Sequence, residues 1–373
     1  KNHSEFVYFS TNGFRVLKRS EILGEITKIE RGLCVAGTHG KTTTSTLLAH
    51  LLRQSHVDCN AFLGGISNNY HTNLLLSDES NLAVIEADEF DRSFHRLHPY
   101  MSIITSADPD HLDIYGTAEA YRESFEHFTS LIPSGGCLVM KAGVPVTPRL
   151  HVYDTEKEAD FYADNIEIRD ARLFFDWHYP ALGAQPAGVL QVELGVPLRI
   201  NVDNATAAMA LAYLNGVTLE ELAEGLASFR GVQRRFDRTI LPQHVLIDDY
   251  AHHPVELAAS IKSVRALYPE KRILGVFQPH LYSRTQDFYR EFAESLDALD
   301  EVILLDIYPA RELPIPGVTS AMIAGEMSKP VHICSKAELL PYLEAQQELA
   351  EIILMVGAGD IDRLVRPVIE YLK

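Results

Sequence analysis

The chain has 373 residues, of which 46% are hydrophobic and 23% are charged, and its formal net charge is −18. This length exceeds one ordinary hydrophobic core, so two or three domains are expected, and the composition is typical of a soluble globular protein. The acidic excess argues against nucleic acid or an anionic membrane surface as the main partner. The apolar runs are too short for membrane insertion, and four scattered cysteines favour a reducing cytoplasm over a disulfide framework or a metal site.

Strand and helix patterns alternate along residues 33–150. Four short apolar runs, "LCVAG", "NLAVIEAD", "MSIIT" and "GCLVM", are typical of buried strands, and a helix is predicted from Thr42 to about Gln54. A second helix is predicted over "TAEAYRESFEHFTSLI", where aromatic side chains recur at helical spacing. This alternation indicates an α/β fold with a mainly parallel sheet and helices on both of its faces.

The pattern changes near residue 150 and again near residue 236. Residues 150–200 contain short β-like runs separated by turns, and two helices follow, the second with a capping box formed by Thr218 and Glu221. Further along, "HVLIDDY", "RILGVFQ", "EVILLDIY", "VHIC" and "EIILMVGAG" indicate five more strands with helices between them. We therefore expect a second, Rossmann-like α/β domain.

A glycine-rich loop, "GTHGKTTTS", lies between the first predicted strand and its helix. Backbone amides of such a loop can point at phosphate oxygens, and a helix N-terminus adds partial positive charge. We expect Lys41 to be exposed at the loop end and to reach the β- and γ-phosphates of ATP, and Thr42 to hold Mg²⁺. The alternative is a plain glycine-rich turn, but the flanking strand and helix favour a phosphate cradle. The predicted nucleotide-binding residues of this loop are Gly37, Thr38, His39, Gly40, Lys41, Thr42 and Thr43.

Acidic and histidine side chains follow the next two predicted strands. Glu86, Asp88, Glu89 and Asp91 gather after one strand, and His111 follows the other. Strand carboxyl ends line the ligand crevice of open α/β sheets, and Mg²⁺ binds one or two carboxylates together with phosphate and water. The alternative is a solvated acidic loop. Because a P-loop precedes the cluster, we expect at least one carboxylate to bind metal and His111 to contact metal or phosphate.

The second half of the chain contains a local basic cluster, which an acidic protein needs in order to bind an anionic ligand. Arg234, Arg235 and Arg238 lie at the predicted domain junction. In "LIDDYAHHPVE" two histidines follow a strand, and the alternative to a functional role is that they cap the helix after them. In "FQPHLYSRT" the guanidinium of Arg284 could clamp a carboxylate at two points.

The ordered motifs of this chain resemble those of the Mur ligases of peptidoglycan synthesis, over essentially residues 14–373. These motifs are GTHGKTTT, EADEFDRSF, DHLDIY, NVDNATAA, GVQRRFD, DDYAHHPVE and FQPHLYSRT. Within the family, "FDRSFHRLHP" resembles the branch that joins L-alanine to UDP-N-acetylmuramate. The resemblance implies a remnant of an N-terminal UDP-sugar-binding domain over residues 1–30, a central P-loop ATPase domain over 31–235, and a C-terminal Rossmann-like amino-acid-binding domain over 236–373.

The resemblance also implies an ATP-dependent carboxylate–amine ligase, with ATP and Mg²⁺, that works through an acyl-phosphate. Asn201 and Asn204 are then implied to contact adenine, and Arg235 and Asp249 to hold the nucleotide. The implied metal ligands are Thr42, Glu86 and His111. The residues implied to bind the substrates are His111, Tyr250, His252 and Arg284. The residues implied in catalysis are Lys41, His252 and Arg284.

The sequence departs from the family pattern at Ile200, where a histidine is usual, and at Leu281, where a basic residue is common. Sister ligases carry a carbamylated lysine in the region of "YRESFEHF", and its absence agrees with the alanine-adding branch. The alternatives are a ligase that recycles a murein tripeptide, a folylpolyglutamate-type ligase and a non-catalytic nucleotide-binding fragment. As given, the chain is expected to bind ATP with Mg²⁺ without ligating, and to be a cytoplasmic monomer or homodimer.

Overall fold

The computed structural model describes residues 3–109, 112–147 and 151–373. The chain divides into two compact units. The first comprises residues 1–167, 174–195 and 200–230, and the second comprises residues 168–173, 196–199 and 231–373. The boundaries of the three domains expected from the sequence stay a prediction.

The first unit is built on a sheet that has ten strands in the described part of the chain. They are β1 (Arg31–Ala36), β2 (Asn60–Phe62), β3 (Leu74–Leu75), β4 (Leu82–Glu86), β5 (Pro99–Ile104), β6 (Cys137–Lys141), β7 (His151–Asp154), β8 (Phe161–Arg169), β9 (Arg172–Tyr179) and β10 (Gly188–Leu194). Their spatial order is β10-β9-β8-β7-β6-β5-β1-β4-β2-β3. Strand β1 is parallel to both neighbours, and the ladder from β5 to β8 is also parallel. The mainly parallel sheet predicted from the alternating pattern is confirmed.

Eight helical segments in the described part of the chain belong to the first unit, and the first of them has no buried residue. They are α1 (Ser4–Thr11), α2 (Arg19–Ile29), α3 (Lys41–Gln54), a 3-10 helix (Ser93–Arg96), α4 (Leu112–Tyr115), α5 (Ala118–Ser130), α6 (Arg199–Leu214) and α7 (Leu219–Ser228). The aromatic stripe of α5 is buried at Tyr121, Phe125 and Phe128. The capping box of Thr218 and Glu221 opens α7 as the sequence predicts.

The strands after residue 150 form a hairpin-rich end of the first sheet. Asp170 and Ala171 join β8 to β9, and both residues have positive φ angles, 52° and 56°. Two consecutive positive φ angles are the geometry of a type I′ hairpin turn, so β8 and β9 run antiparallel. The ring of Trp177 is fully buried and stacks on Phe161. The sole tryptophan of the chain therefore lies in the core of the first unit.

The second unit contains a smaller sheet flanked by helices. Its strands among the described residues are β11 (Asp237–Ile240), β12 (Val245–Asp249), β13 (Ile273–Phe277), β14 (Glu301–Leu305), β15 (His332–Cys334) and β16 (Ile352–Val356). Its helices are α8 (Pro254–Leu267), α9 (Tyr282–Leu296), α10 (Ala321–Glu326), α11 (Lys336–Glu344) and α12 (Asp362–Leu372). The strand order is β11-β12-β16-β13-β14-β15, and only the β11–β12 pair is antiparallel. The five predicted strands are all present, and β11 was missed because "DRTI" is short and polar.

Across the residues that the structure describes, no helix combines the length and the apolar character needed to cross a membrane.

Candidate functional site

The glycine-rich loop connects β1 to α3 at the carboxyl edge of the parallel sheet. Gly37 and Gly40 have φ angles of +138° and +80°, which glycine adopts without strain. A Cβ on Gly40 would also lie only 2.6 Å from Oδ1 of Asn204. The backbone N–H of His39 donates to Oγ of Ser106 (2.9 Å), and the hydroxyl of Thr38 donates to the carbonyl of Asp108 (2.8 Å). Contacts with the segment after β5 therefore fix the conformation of the loop.

Lys41 is the first residue of α3, and its side chain is held inside the loop. Its Nζ donates to the carbonyls of Gly37 (2.7 Å) and Thr38 (3.3 Å) and pairs with Oε1 of Glu89 at 2.8 Å. The Lys41 side chain is 15% exposed and that of Glu89 is 2% exposed. The expectation that Lys41 is exposed is therefore wrong, because the carboxylate that follows β4 draws its ammonium group into the fold.

Glu89 is the residue of this site that sequence reasoning undervalued. The sequence places it in an acidic cluster, and the structure makes it the buried counterion of the P-loop lysine. Burial raises the pKa of the Glu89 carboxyl, and the charge of Lys41 opposes that rise. The hydroxyl of Tyr115 donates to the backbone carbonyl of Glu89. The sequence contains a signal for this contact. When two neighbouring strands are parallel, a carboxylate three residues beyond the end of one strand lies at the same sheet edge as the P-loop that follows the other.

Glu86 ends β4 beside the loop. Its Oε2 atom is buried and has no hydrogen-bond partner among the described residues. A buried carboxylate oxygen without a partner is unfavourable, so a cation is a suitable ligand for it. Thr42 lies in the first turn of α3, where its carbonyl accepts hydrogen bonds from the hydroxyls of Ser45 and Thr46.

The other predicted metal ligand, His111, lies outside the described residues. Among the residues that are described, no group of three or more His, Cys, Asp or Glu side chains is arranged to hold a metal ion. A magnesium site formed by Thr42, Glu86 and His111 therefore stays a prediction. The orphaned oxygen of Glu86 is the feature that fits it.

Asn204 of α6 reaches the P-loop helix and is itself bonded to Asn201 of the same helix. The side-chain oxygen of Asn204 accepts a hydrogen bond from the hydroxyl of Thr44 (3.1 Å), and its amide donates to Oδ1 of Asn201 (3.0 Å). Between them, Asp203 pairs with Lys141 at the end of β6. These contacts fix the first turns of α6 against the nucleotide loop, where the family resemblance implies an adenine site.

The second unit brings the arginines near its start together with the residues after β12. The guanidinium of Arg234 donates to the carbonyls of Gly357 (2.7 Å) and Gly359 (2.9 Å). The guanidinium groups of Arg234 and Arg235 lie 4.8 and 5.0 Å from the ring centre of Tyr250. Arg234 is therefore engaged with the backbone, and Arg235 is the better candidate for a ligand.

Two aspartates end β12. Burial raises the pKa of Asp249, which the family resemblance assigns to the nucleotide. Burial also raises the pKa of its neighbour Asp248 to about 7, and Asp248 Oδ1 has no hydrogen-bond partner among the described residues.

The two histidines after β12 have different surroundings. His253 is the N-cap of α8, and its Nδ1 accepts a hydrogen bond from the backbone N–H of Val255 (3.4 Å). His252 instead donates from Nδ1 to the carbonyl of Tyr250 (2.9 Å) and packs edge-on against His280, with ring centres 5.8 Å apart. The capping alternative therefore holds for His253, and His252 remains a candidate for a substrate contact.

A guanidinium lies beside these imidazoles. Burial lowers the pKa of His252 and lowers that of His280 to about 4, with Arg284 adding to both shifts. Both rings are therefore neutral near neutral pH. In the described part of the chain, Nη1 of Arg284 is buried without a hydrogen-bond partner. This combination suits an anionic group such as a carboxylate. Leu281, which replaces a basic residue of the family, has a φ angle of +71° at the N-cap of α9.

The fold and the site define an α/β protein with a P-loop unit and a Rossmann-like second unit. Residues 35–212 match the Mur ligase middle domain, and residues 234–359 match the glutamate ligase domain of Mur ligases. The chain therefore belongs to the Mur ligase family.

Its relatives include two curated ligases and one solved structure. The chain is 66% identical to a UDP-N-acetylmuramate–L-alanine ligase of Porphyromonas gingivalis, and the match covers 100% of this chain and 82% of the relative. It is 60% identical to the ligase of the same name from Parabacteroides distasonis, again over 100% of this chain and 81% of the relative. The crystal structure of UDP-N-acetylmuramate-alanine ligase from Thermotoga maritima matches with a TM-score of 0.81 and 28% identity, over 98% of this chain and 81% of that one.

Proposed function

We propose that this protein uses ATP to join L-alanine to the lactyl carboxylate of UDP-N-acetylmuramate, a step of peptidoglycan precursor synthesis. The observation that carries the proposal is the 66% identity over the whole chain to a ligase of that name. The site geometry supports it, because the first unit has a phosphate-type loop and the second has a buried guanidinium suited to a carboxylate. We place the reaction in the cytoplasm, where ATP is available, and a monomer or homodimer stays the predicted assembly.

The reaction follows two displacements. An oxygen of the lactyl carboxylate attacks the γ-phosphorus of ATP, the bond to the bridging oxygen breaks, and ADP leaves with the electron pair. The uncharged amine of alanine then attacks the acyl carbon, phosphate leaves, and the amine proton passes to a base. Such transfers depend mostly on positioning and on charge neutralisation, which fixed protein groups supply.

Separate residues of the chain are assigned to phosphate, metal and nucleotide binding. The backbone amides from Gly37 to Thr43 cradle the phosphates, and Lys41 moves from the carbonyls of its own loop to the β- and γ-phosphates. Thr42, Glu86 and His111 would hold magnesium, which would supply positive charge against the phosphate oxygens. The assignments of Asn201, Asn204, Arg235 and Asp249 to the nucleotide stay predictions.

The substrate carboxylate and the amino acid are assigned to Arg284, His252 and Tyr250. Arg284 binds a carboxylate at two points, since its planar guanidinium matches carboxylate geometry. His252, kept neutral by burial, is able to accept a proton through Nε2 because Nδ1 already donates to Tyr250. Tyr250 lies beside it, with ring centres 5.3 Å apart, and is assigned to substrate binding.

The test is release of ADP in the presence of UDP-N-acetylmuramate and each of three acceptor amines, measured on a protein of its relatives' full length, because the chain as given is expected to bind ATP without ligating and spans 82% of the first relative. Release with alanine, and not with the murein tripeptide or with glutamate, is the expected result. Release with the tripeptide alone would make the protein a recycling ligase, and folate-stimulated release with glutamate would make it a folylpolyglutamate-type ligase. Binding of ATP without release under all conditions would make it a non-catalytic nucleotide-binding protein. Lys41→Ala should abolish ADP release. Its matched control is Lys28→Ala, which changes an exposed lysine of α2.

A further inference from the structure

Gly64, which follows β2, lies directly against the carboxylate of Glu86. A Cβ placed on Gly64 would fall well inside 3.0 Å of both carboxylate oxygens, a separation that real Cβ atoms essentially never show. The φ angle of Gly64 is outside the left-handed region, so the backbone conformation does not itself require glycine. The space occupied by Glu86 is therefore the reason that this position has no side chain.

The backbone before Gly64 is held from two sides. Nη2 of Arg19, the first residue of α2, donates to the carbonyls of Phe62 (3.4 Å) and Leu63 (3.2 Å). The N–H of Leu63 donates to the carbonyl of Asn73 (2.9 Å), and the Leu63 side chain is buried. This segment resists displacement, whereas Glu86 presents the free end of a flexible side chain. An added methyl group at Gly64 will therefore move the carboxylate rather than the backbone.

We propose that Gly64 is a positioning residue for Glu86, and that Arg19 supports it by fixing the preceding backbone. The inference rests on the proposed function, in which Glu86 is a magnesium ligand. Ordinary contact with a Cβ begins at 3.4 Å, so the carboxylate would have to retreat by about 1 Å. Metal–ligand distances tolerate only about 0.2 Å, so a carboxylate displaced this far no longer ligates the same ion.

The decisive variant is Gly64→Ala, tested by binding of Mn²⁺ in the presence of ATP, with free Mn²⁺ measured by electron paramagnetic resonance. Loss of support around a metal ligand typically weakens metal binding about 10- to 100-fold, and we expect a loss in this range. ATP binding without metal should be unchanged. Gly135→Ala is the matched control, because Gly135 also has no positive φ and its Cβ would meet no described atom within 4 Å. It should bind Mn²⁺ like the parent protein.

Two further measurements separate this inference from the proposed function. In Glu86→Gln, the added change Gly64→Ala should weaken Mn²⁺ binding no further, because both changes act on one ligand. A crystal structure of Gly64→Ala should show the carboxylate displaced and the backbone of Phe62 and Leu63 in place. Unchanged Mn²⁺ binding in Gly64→Ala, a shifted backbone or an unfolded variant would overturn the inference and leave the function standing. Unchanged binding in Glu86→Gln would instead remove Glu86 from the metal site.

Discussion

Replacing Lys41 by alanine should destabilise the first unit as well as abolish turnover. The change removes the partner of a carboxylate that is 2% exposed and removes two hydrogen bonds to loop carbonyls. Removing one member of a buried ion pair costs about 3–5 kcal/mol, and we expect the lower end, about 3 kcal/mol, because the Glu89 carboxyl can take up a proton. Burial already raises its pKa in the folded protein.

The sign of the pH dependence follows from that raised pKa. A carboxyl whose pKa is raised by folding binds a proton more readily in the folded state, so the free energy of unfolding falls as pH rises through the folded-state pKa. Without Lys41 the pKa of Glu89 rises further. The free energy of unfolding that Lys41→Ala loses relative to the parent protein should therefore be largest near about pH 8 and smaller near about pH 5.

The assay is urea unfolding followed by the fluorescence of Trp177, the sole tryptophan, which is buried in the first unit. Adding Glu89→Gln to Lys41→Ala should restore most of the lost stability, because the amide needs no counterion. Equal stability of Lys41→Ala and the parent at both pH values, or no recovery in the double variant, would refute the proposed coupling of these two residues.

Three other outcomes follow from the site. Glu86→Gln should raise the Mg²⁺ concentration needed for half-maximal ADP release by about tenfold or more, since an amide is a weaker ligand for a hard cation, and an unchanged titration would place the metal elsewhere. Arg284→Lys should reduce turnover with alanine far more than ATP affinity, because lysine keeps the charge and loses the two-point contact; equal losses in both would assign Arg284 to the nucleotide. In the parent protein, Asp248 has a pKa raised by burial to about 7 from 3.8, so its contribution to stability should fall as pH rises between these values, and Asp248→Asn should remove that contribution. The free energy of urea unfolding followed by circular dichroism should show a difference of at most about 4 kcal/mol, and parallel pH profiles would contradict the assignment.

The sequence by itself determined the elements that local pattern controls. The apolar run of β1, the glycines of the loop and the helix after it required no information from elsewhere in the chain, and all three are present in the structure. The same holds for β12, β13, β14 and β16, because strands buried on both faces are continuous apolar runs. The order of the motifs was sufficient to indicate the family, which the comparisons confirm.

Only the tertiary structure decided which side chains meet. Lys41 and Glu89 are 48 residues apart, and Thr44 and Asn204 are 160 apart, so neither contact follows from local spacing. His252 and His253 are identical in type and adjacent in sequence, yet one faces a candidate substrate site and the other caps a helix, because the chain turns between them as it enters α8.

The reason for glycine at position 64 is likewise visible only in the tertiary structure. In the sequence it is an ordinary glycine in a loop, and its φ angle gives no reason for the residue. The reason is Glu86, 22 residues later, whose strand is placed beside β2 by parallel pairing. Local sequence sets the backbone conformation and the amphipathic pattern, whereas the position of one strand end relative to another depends on packing of the whole sheet, and that packing determines where the charged groups lie.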